Sequence, residues 1–329
     1  MKAIEVEHLT KVYPGGLRAV DDISFDVEEG EVWGFLGPNG AGKTTTIRMI
    51  ITLAVPTSGS IKVFGLDVRK DPSKVRSMMS YVPQAVSVDG DLTAYENLLI
   101  FSKLFDVKKV DRKDRIREAL DYMGLTDRAD DLVKHFSGGM MRRLEIAESL
   151  VNRPKVLILD EPSIGLDPAS RLKTWEYIKK LNSDYGVTIF ITTHDMEEAD
   201  ELCDRLAIMN QGKIAVSGPP AELKRSIGGD LITVKTTKRP PASIPAELGT
   251  VAGVEETSLK IVSSAGEAAL PQILDYLRGQ GIGIAAVSMS SPSLDDVFLK
   301  YTTSGPAPEQ RGSFRETREA RKAFERRAR

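Results

Sequence analysis

The sequence is poor in the features that mark several protein classes. It holds one cysteine, Cys203, in 329 residues, so no disulfide can close within the chain, which suits a reducing compartment. No apolar run approaches the roughly 20 residues that a membrane-spanning helix needs. The opening residues, MKAIEVEHLT, lack the apolar core of a secretory signal. Neither charge sign prevails: the formal net charge is -2 with 28% charged residues, which gives no reason to expect nucleic acid as a partner. No internal repeat is visible. A cytosolic protein is expected, which leaves docking on a membrane protein open, and Cys203, beside Leu202, is read as a core filler.

What remains is an ordinary globular composition, 41% hydrophobic, with enough length for an α/β domain and a smaller appended one. AIEVEHL alternates apolar and polar residues as a half-buried strand does. ISFDVEEGEVWGFLG reads as two strands around a turn, SIKVFG and SMMSYVP as two more, and a helix is expected from about Gly42 to Leu53. Asp111 to Met123 has helical spacing, with Ile116, Ala119, Leu120 and Met123 on one face. VLILD and TIFITTH are continuous apolar runs with β-branched residues, the pattern of strands buried on both faces of a parallel sheet. RLAIMNQGKIAVSGPP reads as a hairpin. A boundary falls near Gly218 to Gly229. Beyond it, LITVKTT, SLKIVSS, LPQILDYLRGQG and IGIAAVSM make a small α+β module, and a charge-rich tail follows from about Gly305.

Three stretches carry chemistry. GPNGAGKTT, Gly37-Pro38-Asn39-Gly40-Ala41-Gly42-Lys43-Thr44-Thr45, follows a strand (VWGFL) and opens a helix. Its glycines let backbone amides turn inward around phosphates, Lys43 reaches the β and γ phosphates, and the Thr44 hydroxyl can ligate Mg²⁺. In VLILDEP, Asp160 stands at a strand end, the place for a carboxylate that holds Mg²⁺ through water. Glu161, next to it, is the candidate to polarise an attacking water. A third stretch, HFSGGMMRRL, sets Ser137, Gly138 and Gly139 at a helix start, an arrangement that offers backbone N–H groups to an anion.

In this order the motifs resemble the nucleotide-binding subunit of an ABC transporter over about Met1 to Gly218. The resemblance implies an α/β ABC-type P-loop ATPase domain (residues 1–220) with a mixed sheet core and a helical subdomain at about 85–150. A C-terminal α+β accessory domain would span 221–304, with the charged tail at 305–329. It implies ATP and Mg²⁺ as ligands. Tyr13 lies where the family stacks an aromatic on adenine, and Gln84 matches the glutamine that touches Mg²⁺ and the attacking water. Ser137, Gly138 and Gly139 match the signature motif, Asp167 the D-loop aspartate, and His194 the switch histidine on the γ-phosphate. A head-to-tail dimer, homodimeric or with a related subunit, is implied, in which the signature helix of one subunit caps the ATP of the other. A separate transmembrane permease would hold the pair at the cytoplasmic face of the membrane.

Phe136 and Met140 stand where many members carry leucine and glutamine. That variant, TTHDMEEADELCDRLAIMNQGKI and the segment SPSLDDVFLKYT resemble the drug-resistance and ABC-2-type export branch. The rival reading is a soluble ABC ATPase without transport, such as an iron–sulfur assembly type. The helix region Asp91 to Phe105 lies where the family receives the coupling helix of the permease; the alternative is an amphipathic helix packed within its own domain, and both can hold, with Tyr95, Leu98 and Leu99 partly in a groove and partly in a core. The tail, with Arg311, Arg315, Arg318 and Arg321 among its cations, reads as a solvated segment, and weak attraction to anionic headgroups is the alternative. Vesicle binding by the subunit, measured before and after deletion beyond Gly305, separates the two: unchanged binding rules out the lipid role.

Overall fold

The computed structural model describes residues 1–264, 266–290 and 292–303; the charged tail lies outside them. A six-stranded sheet organises the first unit, in the order Lys213–Gly218, Arg205–Asn210, Val32–Leu36, Thr188–Thr193, Val156–Asp160 and Met79–Val82. All neighbours are parallel except the first pair, the expected hairpin. Every residue of Val32–Leu36, Val156–Asp160 and Thr188–Thr193 is buried.

Alternation within these strands feeds two different cores. Leu157, Leu159, Ile189 and Ile191 face the helical side, where they meet Ile116, Ala119, Leu120 and Met123 of the helix Lys109–Tyr122. Val156, Ile158 and Phe190 face the other way, toward a four-stranded antiparallel sheet formed by Arg18–Glu28, Lys2–Val12, Ser58–Val63 and Leu66–Asp67. Aromatic rings fill the space between the sheets: Phe25 stacks on Trp33 with centroids 4.6 Å apart, and Phe35 meets both edge-on. A continuous apolar strand is thus still a period-2 strand, but each face has its own apolar layer.

Local chemistry sets the helix starts. Thr93 and Glu96 form a reciprocal capping box ahead of Ala94–Leu104. Asp167 caps Pro168–Tyr185, which has proline in its first turn and ends at Gly186 in the left-handed region, φ 62°. Asp195 accepts from the backbone N–H groups of Glu197 and Glu198 and so starts Met196–Leu202 directly after the strand Thr188–Thr193.

Of Tyr95, Leu98 and Leu99, Leu98 is wholly interior and the other two are half-buried, while Ile100, Leu104 and Phe105 of the same region are exposed. Beyond residue 229 a four-stranded antiparallel sheet runs in the order Thr250–Glu255, Ser258–Ser263, Asp230–Thr236, Ile284–Ser290. Ile273 and Leu277 of the helix Leu270–Gly279 join Ile232, Val234, Leu259 and Ile261 in its core. The strand Thr250–Glu255 has no counterpart in the sequence reading. VAGVE carries a glycine and no fully buried residue on a sheet edge, so its alternation is faint. The last helix, Leu294–Thr303, buries Leu294 and Val297 against Leu36, Ala199, Cys203 and Leu206 of the first unit.

Cys203 is the core filler expected, and burial pushes its thiol far above the usual range. It occupies space that Gly34 leaves open: a Cβ at Gly34 would lie 2.5 Å from the Cys203 sulfur. Gly34→Ala should therefore lower stability by about 1–3 kcal/mol. Pairing it with Cys203→Ala should recover part of that loss, with a coupling of about 1 kcal/mol in a double-mutant cycle. Urea midpoints of the four proteins decide this. Simple additivity would mean that the contact is not what excludes a side chain at Gly34.

Candidate active site

Three adjacent parallel strands end side by side. Leu36 pairs with Thr193 and Asp160 with Thr192, so the residues just beyond them, Gly37, His194 and Glu161, emerge at one sheet edge. Gly37 N–H donates to the Thr193 carbonyl at 3.2 Å, which joins the phosphate loop to the strand before His194. The loop needs its glycines for two reasons. Gly40 and Gly42 have φ of 83° and 110°, and a Cβ on Gly37 would sit 2.3 Å from the Met209 carbonyl oxygen. Pro38, Asn39, Gly40 and Thr44 are exposed at its mouth, Thr45 is half-buried, and Ala41 and Lys43 are buried. The helix Lys43–Ile50 follows, shorter than the sequence suggests because Ile51 to Leu53 turn away from it.

Glu161 is the centre of the site. Its side chain is 6% exposed, with Oε1 3.2 Å from Lys43 Nζ and Oε2 2.5 Å from His194 Nδ1. Lys43 also donates to the Gly37 carbonyl at 2.6 Å. The backbone of Glu161 is left-handed, φ 54°, a conformation that costs a residue with a side chain about 1–3 kcal/mol. It is fixed from both sides: the Glu161 N–H donates to the Thr192 carbonyl at 2.9 Å, and the Glu161 carbonyl accepts from Arg142 Nη2 at 3.0 Å.

Asp160 forms a second, adjoining cluster. Its Oδ2 accepts from the Thr44 hydroxyl at 3.4 Å and the Tyr81 hydroxyl at 3.3 Å, and Oδ1 accepts from the Thr192 hydroxyl. Burial, with the Asp160 charge next, pushes the Tyr81 hydroxyl up to about 12. A threonine hydroxyl and a buried carboxylate at the start of a phosphate-loop helix form a hard-oxygen donor pair of the kind that suits Mg²⁺. Behind Glu161 and His194 a cavity of about 200 Å³ is bounded by Gly165, Leu166 and Arg171. Arg171 bridges Asp195 and Glu197 at 2.9 Å each, tying the helix capped by Asp167 to the segment after His194. A second cavity of about 370 Å³, lined by Tyr122, Leu181 and Tyr185, holds none of these residues.

The structure therefore gathers Lys43, Glu161 and His194 in one place and Thr44 with Asp160 beside it. It leaves others apart: among the described residues Tyr13, Gln84 and Ser137 share no hydrogen bond with any of these five. Tyr13 is half-buried with the Lys11 ammonium 5.1 Å over its ring. Gln84 is exposed on the loop after Met79–Val82. Ser137 caps the helix Gly138–Leu150, accepting from Met140 N–H at 3.3 Å, and Ser137 and Gly138 are exposed. Gly139 is buried, and a Cβ there would lie 2.5 Å from the Ser170 hydroxyl. Asp167 Oδ1 accepts from Ser170 N–H at 3.0 Å, and hydrogen bonds from Ser170 hold its carboxyl below the usual carboxylate range. Sequence reasoning missed Arg142, Thr192 and Tyr81, whose partners, apart from Glu145 on the same helix as Arg142, are backbone carbonyls of other segments or the Asp160 carboxylate. No spacing along the chain announces such contacts.

A phosphate loop, a strand-end aspartate–glutamate pair and a histidine joined to that glutamate define an ATPase of the ATP-binding cassette class. The comparisons with known proteins agree. Residues 20–164 match the family described as ABC transporter. Residues 218–302 match the family described as ATP-binding protein DrrA1-3-like, C-terminal domain. The daunorubicin/doxorubicin resistance ATP-binding protein DrrA of Streptomyces peucetius is 40% identical over 308 residues, covering 92% of each chain. The linearmycin resistance ATP-binding protein LnrL of Bacillus subtilis is 37% identical over 91% of this chain and 98% of its own. The Nod factor export ATP-binding protein I of Sinorhizobium fredii is 40% identical over 91% and 86%. Among solved structures, cbiO1 from Clostridium perfringens, part of an ABC transporter complex, aligns with TM-score 0.64 and 29% identity over 69% of this chain and 93% of its own. A dimeric ATP-binding cassette in a post-hydrolysis state with ADP and Pi aligns with TM-score 0.59 and 27% identity over 66% of this chain and 98% of its own. The chain belongs to the ABC transporter ATP-binding proteins, in the branch that carries a DrrA-like C-terminal domain.

One buried group in the signature helix stands outside the site. Glu148 is 1% exposed, its Oε1 has no hydrogen-bond partner among the described residues, and burial, with nearby Glu145 next, pushes its carboxyl up to about 8. A carboxyl whose folded value lies above its unfolded one favours the fold most below the unfolded value, near 4.5, and loses that contribution as pH rises through about 8. Glu148→Gln should thus be no more stable than the parent near pH 5 and more stable by about 1–3 kcal/mol at pH 9. Denaturant melts at the two pH values check it. An equal difference at both would mean that ionisation of Glu148 is not involved.

Proposed function

We propose that the chain powers an export complex through an ATP-driven cycle in which two such subunits close and reopen beneath a separate membrane permease. The observation that carries the reading is the placement of Glu161 between the Lys43 ammonium and the His194 ring at the edge of the central sheet. Tyr13 stacks on adenine, and the loop from Gly37 through Pro38, Asn39, Gly40, Ala41, Gly42, Lys43 and Thr44 to Thr45 cradles the phosphates. Mg²⁺, held by Thr44, Asp160 and Gln84, would offset phosphate charge. Glu161 accepts the proton of the attacking water on a carboxylate oxygen while Lys43 steadies the phosphate oxygens. His194 reaches the γ-phosphate and keeps the Glu161 carboxylate aimed.

Ser137, Gly138 and Gly139 cap the ATP of the partner subunit with the positive end of their helix, and Asp167 lines the same junction. Exposed Ile100, Leu104 and Phe105 offer apolar contact to the permease, which keeps the subunit at the cytoplasmic face of the membrane. The three relatives are named for resistance or export, which supports drugs or other hydrophobic compounds as the cargo and speaks against the iron–sulfur assembly reading.

Glu161→Gln should lower turnover by about 10²–10⁴ while ATP affinity stays unchanged. The same protein should run as a dimer with Mg-ATP and as a monomer without it in size-exclusion chromatography. Normal hydrolysis would remove Glu161 from its role, and a monomer peak insensitive to ATP would sink the dimer. Purified from native membranes with Mg-ATP, the variant should bring a polytopic membrane protein with it. Recovery of soluble partners alone would turn the reading toward non-transport ATPases.

A further inference from the structure

Arg142 lies on the helix Gly138–Leu150, five residues after Ser137, and is 5% exposed. A guanidinium has five N–H bonds, and Arg142 has a partner for each. Nε donates to the Pro162 carbonyl at 2.8 Å. Nη1 donates to the Pro83 carbonyl at 2.7 Å and to Glu145 Oε2 at 3.0 Å. Nη2 donates to the carbonyls of Asp160 and Glu161, both at 3.0 Å.

Three consecutive carbonyls, 160 to 162, are thus held by one side chain, and they span the left-handed backbone of Glu161. The fourth carbonyl belongs to the residue just before Gln84. Glu145, which holds the guanidinium, also accepts from the backbone N–H of Ser87 at 2.6 Å, so the loop carrying Gln84 is pinned at both ends to the same helix. A neutral side chain would supply no opposite charge to the buried Glu145 carboxylate. An ammonium has no planar fork with which to span the carbonyls.

We propose that Arg142 is the positioning residue for Glu161. It holds the left-handed peptide that aims the carboxylate, and it ties the signature helix to the Glu161 turn and to the loop before Gln84. The inference rests on the reading of Glu161 as the group that takes the proton from water.

The test uses the full chain with Mg-ATP and Arg142→Lys, which keeps the charge beside Glu145 and loses the fork. Expected is a fall in kcat of tenfold or more, since small misplacements of a reacting group are costly, with KM and affinity for a fluorescent ATP analogue within twofold of the parent. A kcat within twofold of the parent overturns the proposal. So does a joint loss of kcat, nucleotide affinity and thermal midpoint, which a purely structural role would give. Where Arg142→Lys does not fold, Glu145→Gln, which loosens the guanidinium and keeps a side-chain acceptor for Ser87, decides. Lower kcat at unchanged KM supports the proposal, and either unchanged kcat or misfolding overturns it. Glu161→Gln is measured alongside, and turnover in that protein would overturn the reading of Glu161 itself, independently of Arg142.

Discussion

A carboxylate kept almost out of water is the constraint on which this molecule is built. Removing an ionised group from solvent is costly unless opposite charge and hydrogen bonds replace the lost hydration, and Glu161 receives both from Lys43 and His194. Those two side chains come from segments more than a hundred residues apart, and only the parallel pairing of Val32–Leu36, Thr188–Thr193 and Val156–Asp160 brings their ends together. The apolar layers on either face of the sheet hold that pairing in register. A one-residue slip would send every core side chain to the wrong layer. Packing of Leu157 and Ile189 on one side and Phe190 on the other is therefore part of the active-site geometry.

The same logic explains why polar residues inside the first unit cluster where helices meet strand ends. Arg142, Glu145, Ser163 and Glu198 are each less than a tenth exposed, and their partners are carbonyls, hydroxyls or indole N–H groups at turns. Ser163 and the Trp175 indole donate to Glu198, which binds the residues after Glu161 to the helix after His194. Turns with left-handed or irregular backbone leave carbonyls that no ladder can satisfy, and buried side-chain donors satisfy them. Among the described residues, the buried core of the C-terminal unit is made of aliphatic side chains from its sheet, its helix and the turns between them.

Much of this was legible in the sequence, for reasons that can be named. VLILD and TIFITTH announced themselves because strands buried on both faces tolerate only apolar residues. The phosphate loop was legible because its glycines answer to backbone geometry. Asp160, Glu161 and His194 stood at strand ends, where a short-range pattern suffices. Arg142 was not legible, since an arginine on an amphipathic helix looks the same whether it meets solvent or three carbonyls of another segment. The strand Thr250–Glu255 was hidden by its glycine and its half-exposed edge. The interior position of Leu98 depends on how its helix rolls against the sheet, which helical periodicity alone does not fix.

The buried thiol of Cys203 has a practical consequence. With its one cysteine enclosed between Gly34 and the last helix, the native surface is chemically silent toward thiol reagents. A cysteine placed beside Ser137 and another near Asn39 could carry a donor and an acceptor dye with no background from the parent chain. The approach proposed for one subunit's signature helix and the other's phosphate loop then becomes a distance that can be followed by light, molecule by molecule, during nucleotide turnover.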